Sequence, residues 1–240
     1  IVGYHPMFVP FQGKVIDFLT DGNLEADSGI SIEGGDIMLV HPRHLLIGES
    51  ERTSLDAIFE LKNILFEKNV VDYVTIVEIP NERYCMHLDT IFTLLDDQNC
   101  VGFSPLVFEK NDKVDIITYT KDNKRATLHP TLKDLIRDIY PGMNCIPCGG
   151  GVSPFAQREQ WTDGCNFVAV KPGVAYSYER NIHTLKALRE HGFNIMTAKR
   201  LLSEELTLAD LDKTIITLAS AELSRARGGP HCMTFPISRF

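Results

Sequence analysis

A cysteine, a histidine and a set of carboxylates, far apart along the chain, are the residues here best suited to chemistry. Cys232 follows a basic, glycine-rich run, Arg225-Ala226-Arg227-Gly228-Gly229-Pro230-His231. Neighbouring cations favour the thiolate, the form of cysteine that attacks carbon. His87 and Asp89 stand two residues apart ahead of an apolar stretch, so in extended backbone both side chains face one side. A histidine and a carboxylate aimed at one spot suit proton transfer beside a bound cation. Glu33-Gly34-Gly35-Asp36 sets acids on both sides of a glycine pair, where backbone turns tightly or approaches a ligand closely. Taken singly, each segment has an ordinary structural reading: a buried cysteine, a histidine bonded to its own turn, a glycine bulge with solvated acids. Together they hold the parts of an activated-nucleophile site, provided several loops converge on one pocket.

The elements between them must bring about that convergence. Gly29 to Val40 reads as an apolar strand interrupted by Gly34-Gly35, and Leu45-Leu46-Ile47 as a second strand ended by Gly48. Thr53 or Ser54 is placed to cap a helix that runs to about Lys68, with Lys62 interrupting its apolar stripe. Tyr73 to Ile79, Ile91 to Leu95, Val101 to Phe108 and Asp115 to Tyr119 follow as strands, then Thr131 to Tyr140 as a helix stopped by Pro141-Gly142. Asn166 to Val170 and Val174 to Tyr178 flank Lys171-Pro172-Gly173 as a hairpin. Asn181 to His191 is a helix with Gly192 placed to end it. Phe193 to Met196 and Thr214 to Leu218 are late strands with a helical segment around Glu204 to Leu211 between them. Ser224 to Gly229 is a polar loop and Met233 to Ile237 a final strand. The order β-β-α-β recurs without a residue-level repeat, which predicts one compact α/β domain.

Composition bounds the function. The chain has 240 residues, 44% hydrophobic and 23% charged, as in ordinary globular proteins. A net charge of −8 argues against a nucleic-acid or anionic-membrane partner and is compatible with a small cationic substrate. No apolar run approaches the roughly 20 residues a membrane span needs. The chain opens Ile1-Val2-Gly3 without an initiator Met or a secretory pattern, so its start is expected to lie upstream. The six cysteines are spread out and read as mostly reduced, in a cytoplasmic setting. Cys145-x-x-Cys148 is the only close pair. Without a second CxxC or an HxxxH it reads as structural in preference to half a zinc site or a redox pair.

At this point the sequence resembles the arginine deiminase branch of the guanidine-modifying enzymes, within the amidinotransferase superfamily. The matching segments are Glu33-Gly34-Gly35-Asp36, Ile47 to Thr53 (IGESERT), His87 to Thr93 (HLDTIFT), Arg158 to Gly164 (REQWTDG) and Arg227 to Met233 (RGGPHCM), in that order. Asn166 and the stretch from Pro172 to Asn181 add to them, so the resemblance covers nearly the whole chain. It implies a five-bladed α/β propeller of ββαβ units, the pentein fold, held incompletely. Family members carry a long N-terminal portion that supplies another blade and a guanidinium-binding aspartate. Residues 1–240 are thus expected to be a guanidine-modifying catalytic domain lacking that portion.

The implied reaction is hydrolysis of the guanidinium of L-arginine to citrulline and ammonia. Cys232 would attack the guanidinium carbon and His87 would move the protons, with Glu33 favouring the charged imidazole. Asp89 would bind the guanidinium nitrogens. Arg52 and Arg227 would hold the substrate carboxylate, and Asp36 would belong to the same substrate-binding set or would orient the Glu33 loop in place of touching substrate. Trp161 and Asp163 would line or cover the pocket, or in the case of Trp161 simply pack. No metal or organic cofactor is implied, because nucleophile and proton carrier are both side chains. The partner is a small guanidino compound; self-association as a homo-oligomer stays open. Arginine deiminases commonly have Arg before the nucleophile, whereas His231 stands there now, as in related amidinotransferases and agmatine-type deiminases. Amidino transfer to an amine, a dihydrolase reaction on to ornithine, and a non-catalytic propeller that binds a large partner are the alternatives.

Overall fold

The computed structural model describes residues 29–220, 222–226 and 228–234, with Pro6 and residues 8–10. Strand β1 (Ile37–His41) turns into β2 (His44–Glu49), helix α1 (Leu55–Glu67) follows, and β3 (Tyr73–Glu78) returns. β1 lies antiparallel to β2, with Ile37 opposite Ile47, and β3 lies parallel to it. Ser54 caps α1, its hydroxyl accepting from the Ala57 N–H. Ala57, Ile58, Leu61, Ile64 and Leu65 recur at helical spacing on the buried face. The misplaced charge of Lys62 lies over the rings of Phe59, Phe66 and Tyr119, 5.3–5.6 Å from their centroids.

The next unit opens with β4 (Phe92–Leu94) and β5 (Asn99–Gly102), an antiparallel pair. Helix α2 (Ser104–Val107), β6 (Asp115–Thr120), β7 (Asn123–His129) and α3 (Leu132–Ile139) precede β8 (Asn144–Pro147), which is parallel to β5. The β6–β7 hairpin joins the first sheet, giving the order β1-β2-β3-β6-β7, and leaves β4-β5-β8 as a second sheet. The last unit follows α4 (Phe155–Trp161): β9 (Val168–Lys171), β10 (Val174–Tyr178), α5 (Ile182–Glu190), β11 (Asn194–Thr197), α6 (Ala198–Ser203) and β12 (Thr214–Leu218). Its order is β11-β12-β10-β9, with β10 parallel to β12. Each sheet is therefore built from an antiparallel pair and a later strand returning parallel to the pair's second member, a ββαβ unit with additions at the edges.

The core forms between these layers. Leu45, Ile47, Val74 and Ile76 face α1, while Leu46 and Val77 point to the opposite side and meet Leu88, Phe92, Leu132 and Ile136. β3 is thus buried on both faces, with Val74 and Ile76 on one and Thr75 and Val77 on the other. Each fully buried Leu, Ile or Phe contributes about 1.5–3 kcal/mol relative to exposure. Among the described residues no helix is long and apolar enough to cross a membrane.

Several boundaries differ from those predicted. The first strand starts only at Ile37, because Gly34–Asp36 is a 3-10 turn. The stretch expected to be a strand to Phe108 bends at Gly102, whose missing Cβ leaves room for Val107 and Phe108, and Pro105 starts α2. Helix α6 forms ahead of the predicted 204–211 segment, where the described backbone has only a 3-10 turn at Leu208–Asp210. β7, β8 and α4 were not anticipated: β7 is a polar edge strand, and the other two are short. Leu223–Ala226, within the expected loop, is a 3-10 turn. Met233 also sits in a 3-10 turn, and residues 235–237 of the expected final strand lie outside the described residues.

Candidate active site

Three 3-10 turns meet at one place: Gly34–Asp36, Leu88–Thr90 and His231–Met233. The structure brings Glu33, His87, Asp89 and Cys232 together there, each on a turn or immediately before one. His87 has the extended backbone expected of it, and the following residues curl into the turn in place of a strand. The Thr90 hydroxyl and N–H both donate to the His87 carbonyl, at 2.6 and 3.1 Å.

Asp36 ties the first turn to the second. One carboxylate oxygen accepts from the Ser50 and Thr53 hydroxyls, each at 2.7 Å, and the other from the Leu88 N–H at 2.8 Å. The side chain is fully buried, and burial raises its pKa against the pull of these donors. With its oxygens committed to protein donors, Asp36 clamps the Glu33 turn to the His87 turn, which fits the loop-orienting alternative. Thr53 also accepts from the Glu33 N–H at 3.1 Å, which fixes the backbone beside the acid.

Glu33 Oε2 lies 2.6 Å from His87 Nε2 and 3.4 Å from Arg52 Nη1. Burial pushes the Glu33 pKa up, but the hydrogen bonds and charges of His87 and Arg52 together outweigh it and leave the carboxyl below its usual value. Arg52 pairs with Glu33, not with Glu49 or Glu51, and stays half-exposed at the rim. Of the two glycines only Gly35 faces a crowded site: a Cβ there would stand 2.8 Å from His87 Nδ1 and 3.1 Å from Asp89 Oδ2, while Gly34 faces open space.

The cysteine turn is held by Asn166, which is fully buried. Its Oδ1 accepts from the His231 N–H at 2.8 Å, and its Nδ2 donates to Cys232 Sγ at 3.4 Å and to the Asp89 carbonyl at 3.5 Å. A Cβ on Gly229 would sit 2.1 Å from Asn166 Oδ1, so the loop closes on the amide only with glycine there. The Tyr178 hydroxyl donates to the Gly228 carbonyl at 2.7 Å. Cys232 Sγ is 3.8 Å from Asp89 Oδ2, and His231 Nδ1 is 2.8 Å from the same oxygen. Asp89 Oδ1 is buried with no hydrogen-bond partner among the described residues. Although Cys232 is exposed as a residue, burial around its thiol and then the charge of Asp89 push it up to about 11, against the Gly229 N–H and Asn166. A cation seated between Asp89 and the sulfur would reverse that bias.

Arg227 lies outside the described residues. Trp161 is half-exposed beside a separate apolar cavity of about 460 Å³ with Tyr84, Phe103 and Leu106. Asp163 is buried and near enough to raise the Cys232 thiol. Glu159 caps α5, accepting from the N–H groups of His183 and Thr184 and from the Thr184 hydroxyl. Asn166 and the His231–Asp89 contact were not assigned site roles from sequence; an Asn in a matched segment between apolar residues is the only signal for the former. Among the described residues no group of three or more His, Cys, Asp or Glu is placed to hold a metal ion.

Arginine deiminases of Bacillus cereus (strain B4264) and Levilactobacillus brevis are 34% and 36% identical over 247 and 245 residues, covering 100% of this chain and 53% of each relative. That of Limosilactobacillus reuteri is 38% identical over 214 residues, 87% of this chain and 47% of its own. The chain thus spans about half the length of the curated relatives it matches. Among solved structures, a Pseudomonas aeruginosa DDAH complexed with citrulline aligns at 18% identity and TM-score 0.50, over 85% of this chain and 55% of that one. SxtG, an amidinotransferase from Microseira wollei, aligns at 14% and 0.52, over 90% and 52%. These two share the fold. The family model described as arginine deiminase matches residues 1–239, and the chain belongs to the arginine deiminase family.

Proposed function

We propose that this chain is the catalytic domain of an enzyme that hydrolyses the guanidinium of L-arginine to citrulline and ammonia through a covalent intermediate on Cys232. The observation that carries this reading is the meeting of Cys232, Asp89 and the Glu33–His87 pair at three convergent turns. The three sheets are read as blades of a five-bladed propeller around that site, completed by parts of the protein beyond this chain.

The guanidinium lies against Asp89, whose free, buried Oδ1 accepts one N–H. The cation favours the Cys232 thiolate, and the Asn166 amide steadies the sulfur as it attacks the guanidinium carbon. His87, held by Glu33, protonates the departing nitrogen, ammonia leaves, and a thiouronium ester remains. His87 then takes a proton from water, which attacks the same carbon and releases citrulline and the thiolate. Arg52, at the rim, holds the α-carboxylate.

Incubating the full-length protein with L-arginine alone tests the reading. Citrulline and ammonia in equal amounts, lost in Cys232→Ser, are expected. Turnover that needs an added amine acceptor would make the chain an amidinotransferase, and ornithine with extra ammonia would make it a dihydrolase.

A further inference from the structure

β5 and β8 run parallel, and their register sets Cys100 directly opposite Cys145. Neighbouring strands lie about 4.8 Å apart, and a disulfide spans Cα atoms roughly 4.4–6.8 Å apart. Both cysteines leave the sheet on one face, toward the larger core cluster, whereas the next pair, Val101 and Ile146, enters the other cluster. The Cys100 thiol donates to the Asn144 carbonyl at 3.7 Å and the Cys145 thiol to the Met143 carbonyl at 3.9 Å. Cys100 is fully buried and Cys145 is partly exposed. Arg137 on α3 donates to the Met143 carbonyl at 3.4 Å, and its charge, with that of Lys133 one turn earlier, acts on the Cys145 thiol. The Cys145-x-x-Cys148 spacing is a coincidence of sequence: Cys148 points away, to Cys165 and Thr184.

The thiols of the chain differ accordingly. The neighbouring Cys100 thiol lowers the Cys145 thiol to about 7, helped by Arg137 and Lys133 and opposed by burial. Burial pushes Cys100 and Cys165 well above the usual thiol value. Cys232 is exposed but held up at about 11. Cys145 thus combines access, a cationic neighbour and a second thiol within bonding reach.

We propose that Cys145 and Cys100 form a peroxide-responsive dithiol that closes to an inter-strand disulfide, a function separate from that of Cys232. The Cys145 thiolate attacks one oxygen of hydrogen peroxide, the O–O bond breaks, and the displaced hydroxide takes a proton to become water. Cys145 is left as a sulfenic acid. The Cys100 sulfur attacks the Cys145 sulfur, the S–O bond breaks, and the Cys100 proton leaves with the hydroxide as a second water. Two thiols are oxidised by two electrons and one peroxide is reduced to two waters. A dithiol reductant in excess reverses the closure. The product pins β5 to β8 in the sheet that begins directly after the His87–Thr90 turn.

The test treats the reduced full-length protein at neutral pH with one equivalent of hydrogen peroxide, blocks free thiols with iodoacetamide, and maps unreduced peptides by mass spectrometry. The expected product joins the Cys100 and Cys145 peptides, two hydrogens lighter than their sum, and vanishes with dithiothreitol. Before oxidation Cys145 alkylates at least about tenfold faster than Cys100, Cys148 or Cys165. In Cys100→Ser a dione probe traps a sulfenic acid on Cys145, and in Cys145→Ser Cys100 stays a free thiol. Cys100 fully alkylated after peroxide in the wild-type protein, with Cys145 untouched or taken to sulfinic acid, would overturn the proposal. So would peroxide consumption at Cys232 ahead of Cys145. The wild-type map needs no variant to fold, and neither result depends on whether arginine is turned over.

Discussion

Cys232 rests between the Asn166 amide and the Asp89 carboxylate, and the second of these works against its ionisation. In the proposed reaction a guanidinium seated against Asp89 offsets that charge and lets the thiol ionise. Asn166 is the residue on which this arrangement turns, since one buried amide holds the His231 backbone, the Asp89 backbone and the sulfur. Asn166→Ala leaves these groups unpaired, and arginine turnover is expected to fall by about tenfold to a hundredfold, or roughly 1–3 kcal/mol. Steady-state kcat of a variant that still melts cooperatively checks this. The two glycines of the first turn should separate cleanly. Gly34→Ala is expected to stay within about 0.5 kcal/mol of the parent in chemical denaturation, while Gly35→Ala, pressed on His87 and Asp89, costs about 1–3 kcal/mol. Cys232, His87, Asp89 and Glu33 were legible in the sequence through their combination and their shared order with the arginine deiminase segments, since each alone has an ordinary structural reading. The partners Asn166 and His231 were not, because their bonds exist only once turns 65 and 142 residues apart have met.

At the scale of elements, short 3-10 turns do the positioning, and buried polar groups lock them. Asp36 joins the Ser50–Thr53 turn to the Leu88 backbone, so one carboxylate sets how the Glu33 turn meets the His87 turn. Asp36→Asn presents an NH2 group where only donors face it, and a loss of about 1–3 kcal/mol with a larger loss of activity is expected. Unchanged stability in a denaturant titration would refute the clamp. Elements with strong periodicity were read correctly in kind: α1, β3, the β9–β10 hairpin and α5. β7 was missed because an edge strand with polar side chains forms by pairing with β6, and β8 because four residues carry too little pattern. Glu159 read as part of a matched motif, but its work is capping α5.

The whole molecule carries a pH dependence independent of the site. His44, buried in the first sheet, bonds Thr75 at 2.8 Å, and the chain continues through Thr118 to His129. Burial, then the charges of His41 and His129, lower its pKa from 6.5 to about 4. Between those values the unfolded chain takes up a proton that the folded one refuses. The stability is therefore complete above pH 6.5 and declines as pH falls toward 4, by roughly 3 kcal/mol. Thermal midpoints across this range should slope downward with acid, and His44→Gln should flatten that slope; an unchanged slope would remove His44 from the account. The recurrence of ββαβ order was visible in the sequence, but the division into three sheets was not, because β6 and β7 leave their own unit to extend the first.

On the proposed function, Cys232 becomes covalently bonded to a guanidinium carbon. Acid-quenching the full-length protein within one turnover of L-arginine and mapping its peptides by mass spectrometry tests this directly. The mass of arginine less ammonia is expected on the peptide that carries Cys232, and on no other. Citrulline formed with no such adduct, at a rate unchanged in Cys232→Ser, would contradict it.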